Sequence, residues 1–188
     1  MDTARRSLLM YTVLGASGAL GFIGTADAAS SAREINSDAD RALNQLFAAQ
    51  PKARELSRKA KAVLIFPKIY KGGLMIGGLS GDGVLRVNSK ATAYYNISAA
   101  SFGLQAGAQK YSFALFFMTE EALAYLRKSD GWAIGSGPSV VMVDKGAAAN
   151  MTTTTLTQDV YAFPFGQKGL MAGLGLEGSK ITRINPGK

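Results

Sequence analysis

Seven cations fall between positions 52 and 71: Lys52, Arg54, Arg58, Lys59, Lys61, Lys68 and Lys71, with Glu55 the one acid among them. That is a local excess of six, out of +8 for the whole chain. Such a cluster offers non-covalent chemistry with anions: membrane phosphates, nucleic acid or an acidic polymer. The bland alternative is a solvated helix face and charged strand ends. Arg54, Arg58 and Lys61 stand at i, i+4 and i+7, which puts them on one stripe if the segment is helical.

Covalent chemistry is poorly supplied. The chain has no histidine and no cysteine, so the commonest general base, the commonest metal ligand and every thiolate are missing. Gly173-Leu-Gly-Leu-Glu-Gly178 matches G-x-G-x-x-G, but a dinucleotide site needs a following helix and an acid about twenty residues on. Only ten residues follow Gly178, so a glycine-rich strand or turn is the better reading. Neither a G-x-S-x-G nor a Walker lysine motif occurs. The expectation is no enzyme, no metal and no cofactor. Asp82 fits a hairpin tip, Asp130 a cap or turn after a helix, and Asp144 is unplaced.

A second candidate is the alternation of Ser101, Gly103, Gln105, Gly107 and Gln109 with Phe102, Leu104, Ala106 and Ala108. In an extended chain these form a small, amide-bearing face and an apolar face. Glycines weaken a strand and mark close approach of a backbone or ligand. Two readings stay open: a tightly packed strand with internally bonded amides, or the lining of a ligand site.

The elements that position these residues follow from periodicity. Arg5 and Arg6, the apolar run from Leu8 to Gly24 and the small-x-small triplet Ala26-Asp27-Ala28 read as an export signal over residues 1–28. The route is twin-arginine-like or the ordinary secretory one, with cleavage near Ala28/Ala29 and an uncleaved anchor as the alternative. Either route implies a bacterial periplasm or secretion. Residues 29–37 are a small, polar leader. A helix capped by Ser37 or Asp38 carries Ala39, Ala42, Leu43, Leu46 and Phe47 on one face. Pro51 opens a second helix, and Ala62 to Phe66 is a short buried strand ended by Pro67.

Beyond Lys71 the period becomes two. A hairpin is predicted over Gly72 to Val87 with Gly81-Asp82-Gly83 at its turn. Extended chain is predicted from Thr92 to Gln109 and an apolar strand from Tyr111 to Met118. Thr119 caps a helix from Glu120 to Lys128, closed by Gly131. Further strands are predicted at Ser139–Val143, Val160–Phe165, Leu170–Leu176 and Ser179–Ile184. Trp132 suits either the core or a membrane interface.

Several of these segments, in order, resemble the SYLF domain family: Ala62-Val-Leu-Ile-Phe-Pro-Lys68 with Gly72-Gly73; YYNISAASFGLQAGAQ; Met118-Thr-Glu-Glu-Ala-Leu123 with Ser129-Asp-Gly-Trp132; and Phe165-Gly-Gln-Lys-Gly-Leu-Met-Ala-Gly-Leu174 with Leu176-Glu-Gly-Ser-Lys-Ile181. The similarity runs from about Asp38 to Ile184. It implies phospholipid binding, with phosphoinositides preferred and actin bound by some eukaryotic members. An exported bacterial chain meets neither of the latter two.

The resulting expectation is one α+β domain over residues 38–188: a strongly bent antiparallel sheet, possibly barrel-like, with two amino-terminal helices and one central helix. Its partner is an anionic phospholipid or membrane surface rather than nucleic acid, for which no reading motif exists. Arg54, Arg58, Lys61, Lys68 and Lys71 are the expected contacts, with Phe47, Ile69 and Tyr70 as candidates for insertion. An envelope factor binding a protein partner is the alternative.

Overall fold

The structure is a computed structural model that describes residues 30–73, 76–102, 107–143, 157–169 and 178–187. The export-signal reading therefore lies outside the described residues, as do Asp144 and the strand predicted at Leu170–Leu176. No described helix is long and apolar enough to cross a membrane.

Helix α1 (Ala32–Ala49) begins earlier than the sequence suggests. Ser31 is its N-cap: the side chain accepts from the Glu34 amide at 3.2 Å. Residues 32–37 of the stretch read as leader are thus the first part of a helix, anchored by buried Ile35. Asp38 is not a cap but a buried residue on the same face as Ala39, Ala42 and Leu46. Helix α2 (Pro51–Lys59) follows at once, with proline at its first turn and Ala53 and Leu56 buried.

Eight strands form one sheet: β1 (Ala62–Gly73), β2 (Ile76–Val87), β3 (Lys90–Phe102), β4 (Gly107–Phe117), β5 (Trp132–Ala133), β6 (Val140–Met142), β7 (Val160–Gly169) and β8 (Lys180–Ile184). Helix α3 (Glu120–Lys128) lies between β4 and β5, with Thr119 as the N-cap anticipated. The strand order is β5-β8-β3-β2-β1-β4-β7-β6. Every pairing is antiparallel except β6 with β7, so the sheet is mixed, and it curls into a half-barrel.

Strand alternation explains the layers. In β4, Phe113, Leu115 and Phe117 join a core with α3 and Trp132, while Ala114 and Phe116 join a second core with α1 and α2. Strands β1 and β7 divide the same way, so the central sheet is buried on both faces. Trp132 is core, 1% exposed, and its indole N–H donates to the Ser136 carbonyl at 2.8 Å.

Two local expectations fail. Pro67 does not end β1; it occupies a bulge in a central strand, where the register gains one residue against both neighbours. The Pro67 carbonyl accepts from the Ser112 hydroxyl at 2.8 Å. Gly81-Asp82-Gly83 is not a turn but the middle of β2, paired with Ile97, Asn96 and Tyr95. These glycines answer close approach: a Cβ at Gly83 would lie 2.4 Å from the Ile65 carbonyl oxygen, and one at Gly81 2.5 Å from that of Lys68. The β2–β3 turn is Asn88-Ser89, both at positive φ, the geometry of a tight hairpin.

Candidate anion-binding surface

The cations clustered in sequence separate in space. Lys52, Arg54, Arg58 and Lys59 are exposed on α2, and Lys61 is exposed where the chain enters β1. Their constraints are weak. Lys52 meets Glu55 at 2.9 Å, Lys61 approaches Glu120 at 3.9 Å, and Arg54 stacks over the Phe47 ring at 5.5 Å.

Beside this stripe lies a groove of about 270 Å³, lined among others by Leu43, Phe47, Arg58, Lys61, Arg86 and Asn88. Arg86 is held by Asp40 at 2.5 Å and by the Asn36 carbonyl at 3.1 Å, and its buried Nε has no partner among the described residues. The groove combines two exposed cations, one fixed guanidinium and half-buried apolar side chains, Leu43 and Phe47 among them. That combination suits an anionic head joined to an apolar body.

Lys68 and Lys71 do not belong to this surface. Lys68, on the β1 bulge, pairs with Asp38 and, at 3.5 Å, with Glu34. The Asp38 hydrogen bond chiefly holds its pKa above the ordinary value. Lys71 is buried, 9% exposed, on the same side of β1 as Ile69. Period-two alternation after the bulge turned it inward. Ile69 is fully buried and offers nothing for insertion, whereas Phe47 is half-buried. Tyr70 is 57% exposed, but it borders a groove with Glu34 and Asp82, at the other end of α1 from α2.

The amide-bearing row is described only in part. Gly103 and Gln105 lie outside the described residues; Ser101 pairs with Gly77 and Gly107 with Gly73. Gln109 is the register partner of Lys71 and is 6% exposed, with its Oε1 unpartnered among the described residues. The inward pairing of these two residues was not read from sequence, because it depends on the bulge at Pro67.

A family model described as "Ysc84: Las17-binding protein actin regulator" matches residues 98–185. This match, at residues 98–185, agrees with the resemblance to the SYLF domain family. No curated protein matches the chain. The SYLF match spans the end of β3 through β8 and so includes β4, α3 and β7, but it stops short of α1, α2, β1 and β2. The α2 cations are thus outside the matched stretch, although the SYLF sheet is completed by β1 and β2.

Proposed function

We propose that this domain binds anionic phospholipid without catalysis, at a bacterial envelope surface, through the cations of α2 and the adjoining groove. The observation that carries the reading is the exposure of Arg54, Arg58, Lys59 and Lys61, of which Arg58 and Lys61 line a groove with half-buried Leu43 and Phe47 and Arg54 lies over the Phe47 ring. The match to the SYLF family over residues 98–185 supports a lipid- or protein-binding role over other uses of a basic surface. Each cation near an anionic membrane contributes about 1 kcal/mol, within a Debye length of roughly 8–10 Å. Four such residues give about 4 kcal/mol, a reversible contact that gains from apolar insertion of Phe47.

Sedimentation of the full chain with phosphatidylglycerol or cardiolipin vesicles, against phosphatidylcholine, tests this. The variant R54E/R58E/K61E is expected to weaken binding about a hundredfold or more. Undiminished binding would refute the surface; absence of wild-type binding to any anionic vesicle would refute the function. The family description, which names Las17 binding, favours a protein partner as the second reading. Capture of the same protein from envelope extract before and after lipid removal, with no vesicle binding, would establish it instead.

A further inference from the structure

On the other flank of α1 lies a groove of about 210 Å³ whose lining includes Arg41, Gln45, Lys68, Lys110, Gly166 and Lys168. Its cations come from four elements: α1, the β1 bulge, β4 and β7. Asp38 is the acid among the described lining residues, and it is already shared by Arg41 and Lys68. Lys110 and Lys168 are direct cross-strand partners, both exposed. Neither forms an ion pair among the described residues; Lys110 instead lies over the Tyr70 ring at 5.3 Å. Like charges directly opposite on an antiparallel ladder are destabilising. Two cross-strand lysines lining one groove, with no ion pair to an acid among the described residues, are what a bound dianion would relieve.

The backbone is shaped at the same level. β1 carries its extra residue at Pro67-Lys68, and β7 carries one between Phe165 and Lys168, so bulges flank β4 on both sides. The second includes Gly166 at φ +66, a left-handed conformation that glycine adopts without strain. A Cβ there would lie 3.4 Å from the Gln45 amide nitrogen. Bulges recur where a strand must re-aim side chains beside a site.

We propose that this groove binds a phosphate monoester group or inorganic phosphate, with Lys110 and Lys168 as its principal donors and Arg41 at the rim. The site is separate from the α2 surface and stands whether or not that surface binds membrane.

Thermal unfolding of the full chain in phosphate and in chloride, at matched ionic strength, tests it. At phosphate tenfold above its dissociation constant, the wild-type Tm is expected to rise by about 3–6 °C relative to chloride. In K168A the rise disappears, while Tm in low-salt chloride increases because the lysine repulsion is gone. A merely structural lysine would not produce that pair of effects. The same rise in K110A/K168A, or no rise over chloride in the wild type, overturns the proposal. Glycerol 3-phosphate in solution and phosphatidic acid in vesicles identify the source. Loss of vesicle binding in K110A/K168A marks a lipid headgroup, and loss of the soluble response alone marks a free phosphate compound. R54E/R58E/K61E keeps the phosphate response, so failure of one site is distinguishable from failure of the other.

Discussion

The ammonium group of Lys68 closes on the carboxylate of Asp38, a helix residue only 6% exposed, and also reaches Glu34 at 3.5 Å. One buried carboxylate, shared with Arg41, thereby ties α1 to the β1 bulge. Removing one partner of a buried pair leaves an uncompensated charge, at about 3–5 kcal/mol in full burial. Lys68 is 36% exposed, so K68M is expected to cost less, about 1–3 kcal/mol in urea unfolding. D38N/K68M should recover part of that loss, and a double-mutant coupling near zero would contradict the tie. Because the Lys68 pKa is raised, this contribution is fully present below its ordinary value of 10.5 and is lost only as pH rises through the higher folded value.

Alkaline pH also probes the core beneath the same bulge. Burial pushes the Tyr111 hydroxyl from its ordinary value of 10 up to about 12. The sign follows from linkage: the unfolded chain releases this proton first, so stability is complete below pH 10 and falls progressively between pH 10 and 12. A shift of that size corresponds to about 2–3 kcal/mol at the top of the window. In Y111F the urea midpoint should therefore decline less steeply with pH than in the wild type. Parallel declines for the two proteins would place Tyr111 outside the alkaline transition.

The elements were largely legible where they rest on local pattern. The α1 apolar face, proline opening α2, Thr119 capping α3 and the hydrophobic run of β4 are all period or cap signals. The failures share a cause: a residue read by its local habit was governed by a neighbouring strand. Pro67 reads as a stop yet lies in a bulge, and Gly81 and Gly83 read as a turn yet make room for the β1 backbone. The same bulge sets which basic residues face solvent, and proximity in sequence alone is what groups Lys68 and Lys71 with the α2 cations. Lys110 and Lys168 are far apart in the chain, and only the register brings them together.

Gly83 provides a direct check on this view of β2. A methyl group there would meet the Ile65 carbonyl at 2.4 Å and the Phe66 ring at 2.5 Å, contacts that only backbone movement relieves. Overpacking of this kind costs about 1–3 kcal/mol, so G83A is expected to lower the urea midpoint by an amount in the upper part of that range. A turn glycine with negative φ would accept alanine with a neutral or favourable effect. A stable G83A would thus return this segment to a turn.

Asp159 links three elements by one side chain. Its Oδ2 accepts from the Ser139 amide at 3.0 Å and from the Ser139 hydroxyl at 2.9 Å, and its Oδ1 accepts from the α3 cap Thr119 at 3.4 Å. The Ser139 amide bond is the main cause holding its pKa below the ordinary carboxylate value. A depressed carboxylate contributes stability above the unfolded pKa, and that contribution is lost as pH falls through the lower folded value. Replacing the carboxylate by an amide removes the charge assistance from these bonds, so D159N should be less stable than the wild type by about 1–2 kcal/mol at neutral pH. The difference should shrink as pH falls below the usual carboxylate range, because the wild-type carboxylate is then protonated as well. Urea unfolding of both proteins from pH 7 to pH 2 reads this directly. A constant difference across that range would mean that the side chain acts through packing rather than through its charge.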